Sequence, residues 1–129
     1  MAEPRWVPAE EIARLNEAEV AESGGTALAD LEAVRRALGD VQRRCTIDGE
    51  RDAVRLAVAH LTAIMTVRPF AARNRATGLA ALVMFLEANG YRWTGPDGPV
   101  LAAYVKALAD GRYTEEGLAE TMRPDIFPA

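Results

Sequence analysis

The chain has 129 residues, half of them hydrophobic, and a formal net charge of −4. This composition excludes a disordered chain, and the acidic balance argues against binding nucleic acid, which requires a basic face for the phosphate backbone. One cysteine and one histidine offer no ligand set for zinc, so we expect no metal and a reducing, cytoplasmic setting.

The length predicts a single domain over residues 1–129. The N-terminal stretch lacks the charged-then-apolar order of a signal peptide. No apolar run approaches the ~20 residues that a membrane span needs, so we expect no membrane association.

The first two helices are predicted from their end signals and from one apolar stripe. Pro8 followed by acidic residues starts a helix that runs to about Glu22 and ends at the glycines of residues 23–25. The second helix is predicted from about Leu28 to Arg44. Its stripe, at spacings of three and four, consists of Leu31, Val34, Leu38 and Val41.

The third helix follows a polar break at residues 46–52 and runs from about Arg51 to Val67. It carries two apolar stripes, which predicts that other helices enclose it on most sides. The fourth helix, residues 74–88, is also apolar nearly all round and stops at Asn89 and Gly90.

A turn cluster at residues 94–99 precedes a fifth helix that ends near residue 109. Thr114 is a candidate N-cap for the sixth helix, which Pro124 prevents from continuing far. Because no segment alternates with period two for more than a few residues, the fold class is predicted to be all-α with six helices.

The segment "RPFAARNRATG" joins the third helix to the fourth and concentrates positive charge. The free N–H groups of a first helical turn form an anion site, and guanidinium groups suit phosphate or carboxylate. The residues predicted to bind the anion are Arg68, Arg73, Asn74 and Arg75, and Arg68 and Asn74 are also the candidate catalytic residues. The alternative is that Asn74 caps the helix while the arginines are solvated or paired with surface carboxylates.

This segment resembles the motif of the Fic/Doc (Fido) family, which is His-x-Phe-x-Asp/Glu-x-Asn-Lys/Gly-Arg followed by an apolar helix ending in Asn-Gly. Phe70, Asn74, Thr77 and the terminal Asn89 and Gly90 fall in register. The first, second and last helices are also similar to those of the compact Doc-like (death-on-curing) members. The resemblance covers nearly the whole chain and implies a six-helix Fic/Doc-like bundle with a central motif helix.

The catalytic letters of the motif are degenerate. The resemblance implies a general-base histidine, a magnesium-binding acid and phosphate-handling Lys/Gly and Arg, yet this chain has Arg68, Ala72, Arg75 and Ala76 there. Arginine cannot act as a base near neutral pH, and alanine cannot bind a metal. AMP or phosphate transfer of the family's kind is therefore predicted to be lost, and whether the chain is an enzyme stays open.

Other groups could supply chemistry to the cleft. His60 lies eight residues before Arg68, about 12 Å along a helix, and a core position is the favoured interpretation over catalysis. Asp48, Glu50 and Asp52 fall where the resemblance suggests a target-binding flap. They are interpreted as a solvated loop or as a flap that pairs with Arg68 or receives a cationic substrate.

The remaining candidates are weaker. Cys45 is expected to be buried or idle, and Glu17 and Glu19 are expected to be surface charges. The four aromatic residues that could line a pocket are more typical of core or edge packing: Trp6, Tyr91, Trp93 and Tyr104.

Three functions stay open. The first is a degenerate Doc-like protein that binds a small anion, a nucleotide or an antitoxin-like or other protein partner. The second is a repurposed small-molecule biosynthetic enzyme that holds an anionic group with Arg68 and Arg73 and uses no metal or other cofactor. The third is an active toxin of a toxin–antitoxin pair that phosphorylates a translation factor.

Overall fold

The computed structural model describes residues 3–96 and 98–129, where the chain forms six α-helices, two short strands and a 3₁₀ turn. The helices are α1 (Ala9–Glu22), α2 (Leu31–Thr46), α3 (Ala53–Val67), α4 (Asn74–Ala88), α5 (Pro99–Ala109) and α6 (Glu115–Met122). The predicted all-α, six-helix fold is confirmed. Three residues lie outside the described ranges. Asp97 belongs to the predicted turn cluster, and Met1 and Ala2 belong to the N-terminal stretch that was predicted to lack a signal peptide.

The helix starts follow from local capping. The Asp52 side chain accepts hydrogen bonds from the N–H groups of Val54 and Arg55, and the Thr114 hydroxyl accepts one from Gly117. These oxygens satisfy N–H groups that have no carbonyl partner within the helix. The predicted cap at Thr114 is confirmed, and α4 begins at the predicted residue. Helix α1 begins at Ala9, with Pro8 as its N-cap and not in its first turn.

The predicted start of α2 near Leu28 is wrong by three residues. Asp30 is the N-cap, and its carboxylate accepts a hydrogen bond from the Ala33 N–H at 3.1 Å. Residues 28–30 cannot be helical because their backbone pairs with residues 69–71, through an Asp30 N–H to Pro69 carbonyl bond of 3.0 Å and an Ala71 N–H to Leu28 carbonyl bond of 3.1 Å.

Helix α3 lies at the centre of the bundle, packed against α2, α4 and α6. Ten of its 15 residues are buried, which confirms the prediction from its two apolar stripes. The contact with α4 is closest at Gly78, where an added Cβ would lie 3.0 Å from Leu61 Cδ1 and 3.3 Å from the Leu61 carbonyl oxygen. The small residue therefore lets the two central helices approach.

Two features complete the fold. The sequence did not predict the antiparallel pair β1 (Tyr91–Trp93) and β2 (Ile126–Pro128), because each strand has three residues and finds its partner far along the chain. Helix α5 buries Leu101 and Val105 but leaves Val100 and Tyr104 exposed.

None of the helices in the described ranges combines the length and apolar character that crossing a membrane requires.

Candidate functional site

The loop between α3 and α4 turns on two arginines with left-handed backbones. Arg68 ends α3 with φ 53°, and its N–H donates to the Ile64 carbonyl at 2.9 Å. Arg73 precedes α4 with φ 64°. Each left-handed non-glycine residue costs about 1–2 kcal/mol, so contacts around the loop must hold it in this shape.

The first such contact is the buried side chain of Asn74. Its Oδ1 accepts the Phe70 N–H at 3.1 Å, and its Nδ2 donates to the Phe70 carbonyl at 2.8 Å. The suggestion that Asn74 caps the helix is wrong, because Arg73 is the N-cap residue and Asn74 is the first residue of α4. With its amide occupied at both ends, Asn74 offers an anion its backbone N–H.

The second contact comes from Asn16 on α1, which the sequence analysis missed. Its Nδ2 donates to the Ala72 carbonyl at 2.9 Å and to the Thr77 hydroxyl oxygen at 3.0 Å. Asn16 is only 1% exposed, and it stands between Ile12 and Val20 on the buried stripe of α1. A polar residue in an apolar stripe at spacings of four was the available signal.

The third contact is the pairing of residues 28–30 with residues 69–71, centred on a bridge between Ala29 and Phe70. This pairing makes the α1–α2 connection the segment that lies beside the motif loop. The predicted position of a flap at residues 48–52 beside this loop is therefore wrong. Those residues lie at the opposite end of α3, about 22 Å away by helix rise.

The junction residues border one open pocket of about 540 Å³. Its polar lining includes Arg68, Arg73, Asn74 and Arg75, and its apolar wall is formed by Leu79, Ala102 and Val105. The structure thus brings together all four residues that the sequence predicted to bind an anion.

The arginines of this pocket differ in their pairing. Arg73 forms an ion pair with Glu19 at 3.1 Å, so Glu19 is not only a solvated surface charge as expected. Within residues 3–96 and 98–129, Arg68 and Arg75 have no carboxylate partner. The backbone N–H groups of residues 74–76 also lack an acceptor in the described part of the chain. The pocket therefore offers two unpaired guanidinium groups beside a helix N-terminus.

The acidic loop at residues 48–52 has partners of its own. Asp52 pairs with Arg123 at 3.0 Å, and the Glu50 carboxylate accepts from the N–H groups of Arg51 and Asp52. Partial burial opposes the shift, but the hydrogen bond from Arg123 and the backbone N–H groups lower the pKa of Asp52. Asp48 and Glu50 border a separate pocket of about 580 Å³. The alternative that a carboxylate of this loop pairs with Arg68 is wrong, since the two lie at opposite ends of α3.

The other candidate groups lie outside the arginine pocket. His60 is buried against Phe85, with ring centroids 4.5 Å apart, and burial lowers its pKa to about 4. Cys45 is buried, with an Arg51 nitrogen 3.1 Å from its sulfur. No described aromatic residue borders this pocket: Trp6 packs on His60 and Phe85, and Tyr104 packs on Tyr113. The described residues also contain no group of three His, Cys, Asp or Glu that could hold a metal ion.

Comparison with known proteins gives one informative similarity. No family model matches the chain. The chain is similar to protein kinase doc of Escherichia phage P1, with 27% identity over 120 residues that cover 92% of this chain and 94% of the relative. Together with the six-helix fold, this similarity supports a Doc-like relationship along nearly the whole chain.

Proposed function

We propose that this chain is a Doc-like protein that binds an anionic ligand in the junction pocket and has lost the family's transfer of AMP or phosphate. One observation carries the proposal. The pocket is bordered by three arginines, two of them unpaired, and its described lining includes no carboxylate or imidazole. The electrostatics favour an anion, while the groups needed to activate a hydroxyl nucleophile are missing.

The loss of transfer follows from the side chains at two motif positions. Arg68 stands where the family resemblance places a general base, and its guanidinium keeps its proton at neutral pH. Ala72 stands where the resemblance places the magnesium-binding acid, and a methyl group offers no ligand. General-base loss alone removes on the order of 10²–10⁴ in rate, and phosphoryl transfer also depends on charge neutralisation by the metal.

The lining indicates the chemical class of the ligand. Guanidinium groups and helix N–H groups bind phosphate or carboxylate oxygens without a metal. The wall of Leu79, Ala102 and Val105 suits an apolar or flat group attached to that anion. A nucleotide or another small phosphorylated or carboxylated metabolite fits this description.

Calorimetric titration of the purified protein with inorganic phosphate, AMP, ADP and ATP, each with and without Mg²⁺, tests the binding. We expect binding that does not require Mg²⁺ and that weakens about tenfold in Arg68→Ala and in Arg75→Ala, because each variant removes a charged hydrogen bond. Arg36→Ala is the matched control, since Arg36 is an exposed arginine on α2 outside this pocket. Equal affinity in all four proteins, or binding only with Mg²⁺, would contradict the proposal.

A transfer assay separates the proposal from the activity named in the relative. The protein is incubated with Mg²⁺, labelled ATP and a cell extract, and we expect no labelled target. Labelling that is lost in Asn74→Ala would instead favour retained kinase activity. Conversion of a bound metabolite to product without ATP would identify a repurposed enzyme. An antitoxin-like or other protein partner, a cytoplasmic location, the absence of nucleic-acid binding and a single domain over residues 1–129 stay predictions.

A further inference from the structure

The peptide plane between Ala72 and Arg73 leads from the junction loop into α4. The carbonyl of Ala72 belongs to that plane. The φ angle of Arg73 is the rotation about its N–Cα bond, which orients the rest of Arg73 relative to that plane. Arg73 has a φ of 64°, and this left-handed conformation costs a non-glycine residue about 1–2 kcal/mol. A contact that holds the Ala72 carbonyl therefore restrains the backbone at the start of α4.

Asn16 supplies that contact from another helix. Its Nδ2 reaches the Ala72 carbonyl at 2.9 Å and the Thr77 hydroxyl oxygen at 3.0 Å. One amide thus joins α1 to the loop and to the first turn of α4. Asn16 is 1% exposed and Thr77 is 0% exposed, so water does not compete for the hydrogen bond between them, whereas the bond to the Ala72 carbonyl is partly buried.

The same helix also holds the side chain of Arg73. Glu19 lies three residues after Asn16 on α1 and pairs with the Arg73 guanidinium at 3.1 Å. Glu19 does not line the pocket, and solvent screens the partly exposed pair. The pair contacts the side chain of Arg73 and makes no hydrogen bond to the backbone of the loop. Asn16 bonds the backbone itself, at the Ala72 carbonyl.

We propose that Asn16 is the positioning residue of the junction pocket: by holding the Ala72 carbonyl it keeps Arg73 left-handed and sets the N–H groups of residues 74–76 toward a bound anion. The inference rests on the proposed anion-binding function. Asn16 itself does not border the pocket and acts through Ala72 and Arg73.

The first test needs no ligand. Asn16→Asp keeps the shape of the side chain but replaces the donor with an oxygen that repels the Ala72 carbonyl. We expect the backbone ¹³C chemical shifts of Arg73 to leave the values of a left-handed residue, and amide hydrogen exchange at residues 72–76 to quicken. Thr77→Val removes the helix partner and leaves the bond to Ala72, so the Arg73 shifts should stay near those of the unmodified protein. Unchanged Arg73 shifts in folded Asn16→Asp would overturn the inference.

The second test measures affinity for ATP without Mg²⁺. Asn16→Asp should bind about tenfold more weakly, whereas Thr77→Val should lose much less. A double-variant comparison gives the mechanism: because glycine adopts the left-handed conformation freely, Asn16→Asp should cost less affinity in an Arg73→Gly background than alone. An equal loss in both backgrounds would overturn the positioning role.

The two proposals fail in distinguishable ways. Absence of ATP and phosphate binding in the unmodified protein would overturn the proposed function, while the ¹³C shifts would still decide whether Asn16 holds Arg73. If Asn16→Asp does not fold, Thr77→Val and Asn16→Ser provide the comparison. Asn16→Ser should then show the Arg73 shift change that Thr77→Val lacks, since a serine side chain is too short to reach the Ala72 carbonyl in the same way.

Discussion

At the scale of single residues, His60 shows how burial determines the charge of a side chain. Its ring forms a cluster with the rings of Trp6 and Phe85, and its Nδ1 lies 2.8 Å from the Leu56 carbonyl oxygen. Nε2 is buried without a partner among the described residues. Burial lowers the pKa of His60 to about 4, although the hydrogen bond to Leu56 acts in the opposite direction. The imidazole is therefore neutral in the folded chain and outside the arginine pocket, as the core interpretation predicted.

This depressed pKa makes stability depend on pH. In the unfolded chain the histidine pKa is near 6.5, so between about pH 6.5 and pH 4 the unfolded chain binds a proton that the folded chain does not. The His60 contribution is complete above about pH 6.5 and is lost as the pH falls toward 4, by about 3 kcal/mol. Chemical denaturation at a series of pH values should show this slope, and His60→Leu should flatten it. A variant with the same slope as the unmodified protein would contradict the assignment.

At the scale of elements, the contact between α3 and α4 depends on Gly78. A methyl group there would meet the side chain and backbone of Leu61, so Gly78→Ala should lower the free energy of unfolding by about 1–3 kcal/mol despite the better helix propensity of alanine. Gly39→Ala on α2 is the matched control, because an added Cβ would meet only the end of the Arg43 side chain at 3.5 Å. That variant should be stabilised by up to about 1 kcal/mol. Urea denaturation of both proteins measures the difference, and an equal gain in both would show that the helices can separate without penalty.

Elements whose ends are set locally could be predicted from the sequence. Thr114 caps α6 through an oxygen three residues from the N–H group it satisfies, so the local pattern was enough. Asp52 caps α3 just as locally, but the predicted start near Arg51 preceded the observed start by two residues. The predicted start of α2 was wrong because the backbone of residues 28–30 forms hydrogen bonds with the loop at residues 69–71, far along the chain. At the site, the four junction residues were found because they are adjacent in sequence. Asn16 was missed because its role exists only when α1 packs on α4.

At the scale of the whole molecule, both ends of the described chain meet at the end of α4. The Asn89 side chain accepts the Arg5 N–H at 2.8 Å and donates to the Arg5 carbonyl at 3.1 Å. The Gly90 carbonyl accepts the Ala129 N–H at 2.8 Å, next to the pairing of β1 with β2. Asn89 and Gly90 therefore do more than end α4. They also form hydrogen bonds to the segments that precede α1 and follow α6.

Replacing this asparagine should loosen the N-terminal segment while leaving the bundle folded. Asn89→Ala removes the two hydrogen bonds to Arg5 and one to the Phe85 carbonyl, so we expect the free energy of unfolding to fall by about 1–2 kcal/mol. Trp6 follows Arg5 and packs on Phe85. Acrylamide should therefore quench the fluorescence of Trp6 more strongly in this variant. The measurement uses a Trp93→Phe background, which leaves Trp6 as the only tryptophan. Glu87→Ala, an exposed change at the same end of α4, should alter stability by no more than about 0.5 kcal/mol and leave quenching unchanged. Equal quenching in the two variants would mean that packing of Trp6, and not Asn89, holds the segment in place.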